Sequence, residues 1–383
     1  MPIDADLTAA TGPMPDMPPP ETVARAALSP AANRHGLRLA LGTSAAFALA
    51  LVLGWPLATF SAVFVALFLQ GPAAMPPPAF WRLFQQAVVF LAASWLVSSV
   101  LAAYAVPLLI AIALAVAISF RWSTTGAGML SVVLALMASL MIPNLVITSK
   151  DLTLILVIWI PANLAVAWLW TVFLFWLLPA STGPAARAAA AAAAGPRPDP
   201  GRLVLRMSLV TIPFAMLFFL SGSGMLITLF FVAILSMQLA AARGAGPAVA
   251  KGMLKANLIG GIAAIIAYEI TVIAPLMLVA MLAVTLAALT LARWFVSEHA
   301  DSALAGSALT TLIIVYGGAI SPFTGDADVK MLDRLWQVGF ALGFVLLAYL
   351  VVDALVPLDK GTNAPPRGLR ALVRRRRAQR ARP

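Results

Sequence analysis

Apolar runs follow one another along almost the whole chain. Before residue 179 they cover 37–53, 57–69, 84–104, 106–120, 124–142 and 152–178. After residue 201 they cover 205–220, 225–241, 253–273, 276–292, 303–320 and 335–356. These runs are apolar all round, unlike a helix that keeps one face in water. A helix crosses the hydrocarbon of a bilayer with ~20 such residues. The pattern predicts an all-α polytopic membrane protein with about twelve transmembrane helices.

Breaks between the runs add detail. The runs on either side of Gly54-Trp55-Pro56 are short for a span. Proline tolerates a helix start but not its interior, so this break predicts a tight hairpin. Pro72, Pro76, Pro77 and Pro78 predict a loop over 71–82, and Ile142-Pro143 reads as the stop of the fifth run. The longest internal break, 180–201, is a linker of alanine, proline and glycine. The expected organisation has five parts: a disordered cytoplasmic tail, 1–33; a first six-helix membrane repeat, 34–179; a cytoplasmic linker, 180–201; a second six-helix repeat, 202–357; and an arginine-rich cytoplasmic tail, 358–383.

Composition narrows the class. Of 383 residues, 62% are hydrophobic and 10% charged; a soluble domain carries roughly 25% charged residues. There is no cysteine, and the two histidines are His35 and His299. That argues against disulfides, haem, iron–sulfur clusters and Cys/His zinc sites, so no cofactor and no metal are expected. No Walker-type phosphate loop is present, so uphill movement would draw on a gradient or on another subunit.

The net charge of +11 invites a nucleic-acid reading. The distribution of charge favours a membrane instead. With the N-terminus inside, 22 of the 25 basic residues fall in cytoplasmic segments, and only Lys150, Lys330 and Arg334 fall outside. That bias is the positive-inside rule. It predicts an inner-membrane protein with both termini cytoplasmic, and it requires an even number of crossings before the linker.

The halves resemble each other. Shifted by 168 residues, Leu37, Arg38, Leu41, Thr43, Leu49, Gly54, Leu67 and Gln70 fall on Leu205, Arg206, Leu209, Thr211, Leu217, Gly222, Leu235 and Gln238. Arg121-Trp122 and Arg293-Trp294 end the fourth run of each half, while Pro179 and Pro357 end the sixth. An even number of spans per half makes the repeats parallel, and such pairs usually place a pathway between them.

The arginine-led short hairpin broken at Gly54-Trp55-Pro56, the proline-rich turn, the Ile142-Pro143 stop and the long Trp-rich sixth run resemble the fusaric-acid-resistance and aromatic-acid-exporter group. They are most similar to its smaller relatives found beside HlyD-type periplasmic adaptors. Larger members carry a soluble domain after each six-span block; here the short linker and the arginine-rich tail stand in those places. The resemblance implies a gradient-driven inner-membrane exporter. It would pass a small organic compound, an aromatic or other weak acid, to a periplasmic adaptor.

Ionisable groups inside spans are costly and point to function. Glu269 and Asp353 qualify. A carboxyl in apolar surroundings resists ionisation and exchanges its proton nearer neutrality. The plainer reading is that each meets water or a basic partner near a surface. Asn163, beyond Pro161, and Gln85 and Gln238 are candidate pathway residues; interhelical hydrogen bonding is the plainer reading. Arg38 and Arg206, at the mouths of the first and seventh runs, form a candidate basic ring for an anionic substrate, against simple topological anchoring. Gly339-x-x-x-Gly343 permits close helix approach. An enzyme is not expected, since no cluster of acids, histidine and serine shares one depth. The alternatives are a major-facilitator-type carrier and a non-transporting scaffold for the adaptor. Expected partners are the lipid bilayer, the adaptor and a small organic substrate, with no nucleic acid; a homo-oligomer is left open.

Overall fold

The computed structural model describes residues 29–179, 199–221, 226–240, 246–299, 301–320 and 327–355. Most of the N-terminal tail, of the linker and of the region after α12 lies outside the described residues. All regular structure within them is helical. The helices are α1 (Pro30–Val52), α2 (Ala58–Leu69), α3 (Pro77–Leu101), α4 (Ala105–Ser123), α5 (Met129–Thr148), α6 (Lys150–Leu177), α7 (Pro200–Ser221), α8 (Leu226–Ala240), α9 (Gly246–Ile273), α10 (Met277–Phe295), α11 (Ser302–Ala319) and α12 (Ala327–Leu355). Ten of these are long and apolar enough to cross a membrane. The chain is a multi-pass membrane protein.

The two helices below spanning length are α2 and α8. With 12 residues, α2 is about 18 Å long, well short of a ~30 Å hydrocarbon core. The α1–α2 pair is a hairpin that turns back. Its α1 arm ends in a glycine-terminated cap: Gly54 takes φ +59°, Trp55 N–H donates to the Ala50 carbonyl at 2.8 Å and Gly54 N–H to that of Leu51 at 3.0 Å. That pairing satisfies carbonyls the helix end would leave open. Leu57 then adopts the left-handed region at φ 57° to open α2, which costs a non-glycine residue ~1–2 kcal/mol. The other mouth is closed by His35, whose Nε2 donates to the Leu69 carbonyl at 2.9 Å.

Asn163 holds the tip. Its Oδ1 accepts from Trp55 Nε1 at 3.1 Å, and its Nδ2 donates to the carbonyls of Pro56 at 3.2 Å and Trp159 at 2.7 Å. The side chain is fully buried. Asn163 lies 13 residues after Lys150 and 14 before Leu177, so the tip stops beside the midpoint of α6.

Two proline positions also depart from expectation. α5 runs through Pro143 to Thr148 instead of stopping there, and α3 starts at Pro77 inside the expected loop, with prolines in its first turn.

Packing follows from which faces remain apolar. In the first half α3 lies along α5, α2 along α1 and α6, α4 along α5, and α3 along α6. In the second, α9 lies along α11, α8 along α7 and α12, α10 along α11, and α9 along α12. Between them α1 packs on α10, α4 on α7, α2 on α11 and α5 on α8. The hydrophobic cores are mixed accordingly. One joins Leu39, Phe47 and Leu164 to Leu291, Leu312 and Tyr316; the other joins Ile112, Val116 and Phe120 to Val210, Val232 and Val345. The two sets of helices are therefore interlocked.

Close approach comes from glycines other than the expected pair. Neither Gly339 nor Gly343 has a described neighbour within 4 Å of where a Cβ would stand. A Cβ on Gly260 would instead stand 2.8 Å from Thr311 Cβ and press on the Ala308 backbone, so α9 and α11 meet there.

Gly260→Val should separate α9 from α11 and lower the detergent melting temperature. Asn163→Leu should leave the Trp55 N–H and Pro56 carbonyl unsatisfied, at a cost of ~1–3 kcal/mol per buried group. A thermal melt of Asn163→Leu that superimposes on that of the unmodified protein would remove the clasp from the account.

Candidate functional site

Helix α4 borders a cavity because its buried stripe serves the core shared with the second half. Leu108, Ile112, Val116 and Phe120 recur every four residues and are buried in the core shared with α7. That engagement draws α4 away from α3. The two touch through the turn at Tyr104 and through an edge-to-face contact of Phe90 with Trp122, centroids 4.9 Å apart. Between α3, α4 and α5 a cleft of ≈720 Å³ remains, within the 300–1,000 Å³ typical of small-molecule sites.

Its walls are apolar, with a few polar groups at set places: Ser94, Ser98, Ser119, Ser139, and Arg121 at the end where α4 finishes. Three of the hydroxyls are tied to the backbone. Ser94 Oγ donates to Ala138 at 2.6 Å, Ser119 Oγ to Ala115 at 2.8 Å and Ser139 Oγ to Ala135 at 2.7 Å. The oxygens of Ser119 and Ser139 stand 3.3 Å apart. A hydroxyl that has given its proton to a carbonyl still accepts, so these groups present acceptors. Pro143 also lines the cleft; lacking an N–H, it leaves the Ser139 carbonyl without the usual helical donor. Arg121 is exposed and supplies the cation.

None of the predicted residues lines this cleft. Arg38 and Arg206 are each 2% exposed and clasp the last turns of α6 and α12. Arg38 Nη1 donates to the Leu178 carbonyl at 3.0 Å, and its guanidinium lies 3.9 Å from the centre of the Phe175 ring. Arg206 Nη2 pairs with Asp353. Behind it, Tyr349 Oη donates to the Ser236 carbonyl at 2.7 Å. Glu269 is exposed on α9, four residues before its end. Gln85 is exposed on α3, and Gln238 is half-buried on α8. Gln70 reaches from α2 to the Gly306 carbonyl of α11 at 3.4 Å. Of the expected set, only Arg206 and Asp353 touch.

The cleft serines were not singled out from the sequence. Their signal was a set of hydroxyls interrupting the apolar runs of α3, α4 and α5, with Ser94 and Ser98 one helical turn apart. Among the described residues no group of His, Cys, Asp and Glu could hold a metal.

Lys255 of α9 pairs with Asp301 on the turn between α10 and α11. The Lys255 ammonium holds the Asp301 carboxyl below the ordinary range, first by its hydrogen bond and then by its charge.

A family model described as Protein of unknown function (DUF2955) matches residues 35–178. That stretch holds α1 to α6, and so the cleft, the hairpin clasp and Arg38. No curated protein and no solved structure matches the chain.

A carboxyl titration followed by NMR should place Asp301 below ~3.9, the usual aspartate value, and Lys255→Ala should return it there. Because the folded value is depressed, the pair's contribution is present above the unfolded value and fades as pH falls through the folded one.

Proposed function

We propose that this protein is an inner-membrane exporter of small organic acids, driven by a gradient and delivering to a periplasmic adaptor of the HlyD type. The observation that carries the reading is the cleft between α3, α4 and α5, with an apolar wall, hydroxyl acceptors and Arg121 at one end. An aromatic or aliphatic body fits the wall, an acidic head meets Arg121, and a protonated hydroxyl or carboxyl donates to the serine oxygens. The motifs shared with the fusaric-acid-resistance and aromatic-acid-exporter group point the same way.

The arrangement as two parallel six-helix repeats belongs to this reading. Its support is the packing scheme. Advancing every helix of the first half by six turns α3 on α5 into α9 on α11, and α2 on α6 into α8 on α12. Across the halves it turns α1 on α10 into α7 on α4, and α2 on α11 into α8 on α5. Residue pairs follow the same rule, since Arg38 meets Phe175 as Arg206 meets Asp353. Positive charge then puts the ends carrying Arg38, Arg121, Arg206 and Arg293 on the cytoplasmic side. That assignment survives the short hairpin, because an excursion that returns to its own side leaves the later loops where two full crossings would.

Glu269 is the candidate coupling carboxyl, because Asp353 is engaged by Arg206. Purified protein in liposomes should release an aromatic acid when a pH gradient is imposed. Ala111→Phe, which fills the cleft, should lower that flux by at least tenfold without loss of folding. Glu269→Gln should abolish uphill export while leaving insertion intact. Full flux in Ala111→Phe would remove the cleft from the transport path. Absence of flux for any organic acid, together with tight adaptor binding, would favour a scaffold.

A further inference from the structure

The two buried arginines are compensated differently. Arg206 lies against the Asp353 carboxylate. Arg38 stands 168 residues earlier, and at the matching place on α6, four residues before Pro179 as Asp353 is before Pro357, stands Phe175. A ring in one half thus occupies the position of a carboxylate in the other. Among the described residues Arg38 has no acidic partner within ion-pair distance. Its Nη1 caps α6 through the Leu178 carbonyl, the Phe175 ring lies 3.9 Å from the guanidinium, and its Nε is buried with no hydrogen-bond acceptor. Helix-end carbonyls and a ring face offset a buried cation only in part. A buried charge held without a counter-charge is costly.

We propose that Arg38 is the receptor for the oxyanion group of a small organic anion, which displaces the Phe175 ring and takes the position that Asp353 takes against Arg206. The approach is open. The Asp353 side chain is 62% exposed while the Arg206 side chain it touches is 3% exposed, so this position faces outward from the bundle. An anion there reaches the edge of the guanidinium without entering the core. Phe175 itself is only half-buried, and turning it aside breaks no hydrogen bond. A flat acid suits the place best, since its ring can take over the contact that Phe175 gives up while its carboxylate pairs with Arg38. The second half carries its anion within the chain, and the first half takes one from outside. The assignment deepens the export reading by giving the anion a first station near the end of α6, and it uses the repeat correspondence.

The test is calorimetric titration of benzoate into the full chain, held in nanodiscs of zwitterionic lipid. Saturable binding is expected at Arg38. Phe175→Asp, which installs the counter-charge of the other half, should weaken it at least tenfold; Phe175→Ala, which uncovers the guanidinium, should tighten it several-fold. No benzoate binding by the unmodified chain, or the same change in both Phe175 variants, overturns the proposal. Loss of benzoate binding when phosphatidylglycerol is added to the disc overturns the occupant in favour of a lipid headgroup. Asp353→Asn isolates the repeat correspondence: a second benzoate site at Arg206 supports it, and its absence alongside the expected Phe175 effects refutes that correspondence alone. Binding that follows this pattern without flux in liposomes would refute export and not the receptor.

Discussion

A backbone that turns inside a bilayer must satisfy its own polar groups, and that constraint organises this protein. The Gly54–Leu57 break lies beside the middle of α6. The N–H groups of Gly54 and Trp55 are met by the glycine-terminated cap on α1, and the Pro56 carbonyl by Asn163. The returning helix must then be surrounded by protein, because irregular backbone at that depth is tolerated only where lipid cannot reach it. α2 is accordingly enclosed by α1, α6 and α11, the last from the other half. Interlocking of the halves is the structural consequence of a hairpin that stops short.

The interlocking in turn makes the cleft. α4 crosses to α7 and presents Ile112, Val116 and Phe120 to the second core, so its opposite face has no helix to meet. α10 makes the reciprocal crossing to α1, yet it also packs against α9. The first half is open at the place where the second is closed. The candidate binding volume therefore lies within one half, between α3, α4 and α5.

The sequence revealed class and order well because hydrophobic run length is a direct physical requirement of the bilayer. It misplaced boundaries where proline was taken as punctuation. Pro143 lies within α5 because neighbouring helices shield the unpaired carbonyl it creates, and Pro77 opens α3 because a first-turn proline forgoes no hydrogen bond. Charge bias did not fix the number of spans because it reports only parity: a hairpin that turns back and a pair that crosses twice leave every later loop on the same side. The Gly339 and Gly343 motif misled because spacing alone does not say which face meets a neighbour. The cleft was hidden for a related reason, since Ser94, Ser119 and Ser139 come from three helices and gain meaning only when those helices are brought together.

Arg38 and Arg206 show how a local difference between two like clasps becomes chemistry. Arginine pairs and stacks with equal ease, because its guanidinium is planar, always charged and weakly hydrated. In the second half the stacking partner is Tyr349, 5.3 Å away, and the pairing partner is Asp353. In the first half Phe175 stacks and nothing described pairs. Had both positions been filled by acids, each arginine would be a plain anchor with its charge satisfied in place. With only one so filled, the chain keeps one neutralised clasp and one cation with an edge unspent. The unspent one lies beside the C-terminus of α6, within the stretch that also holds the cleft and the hairpin clasp.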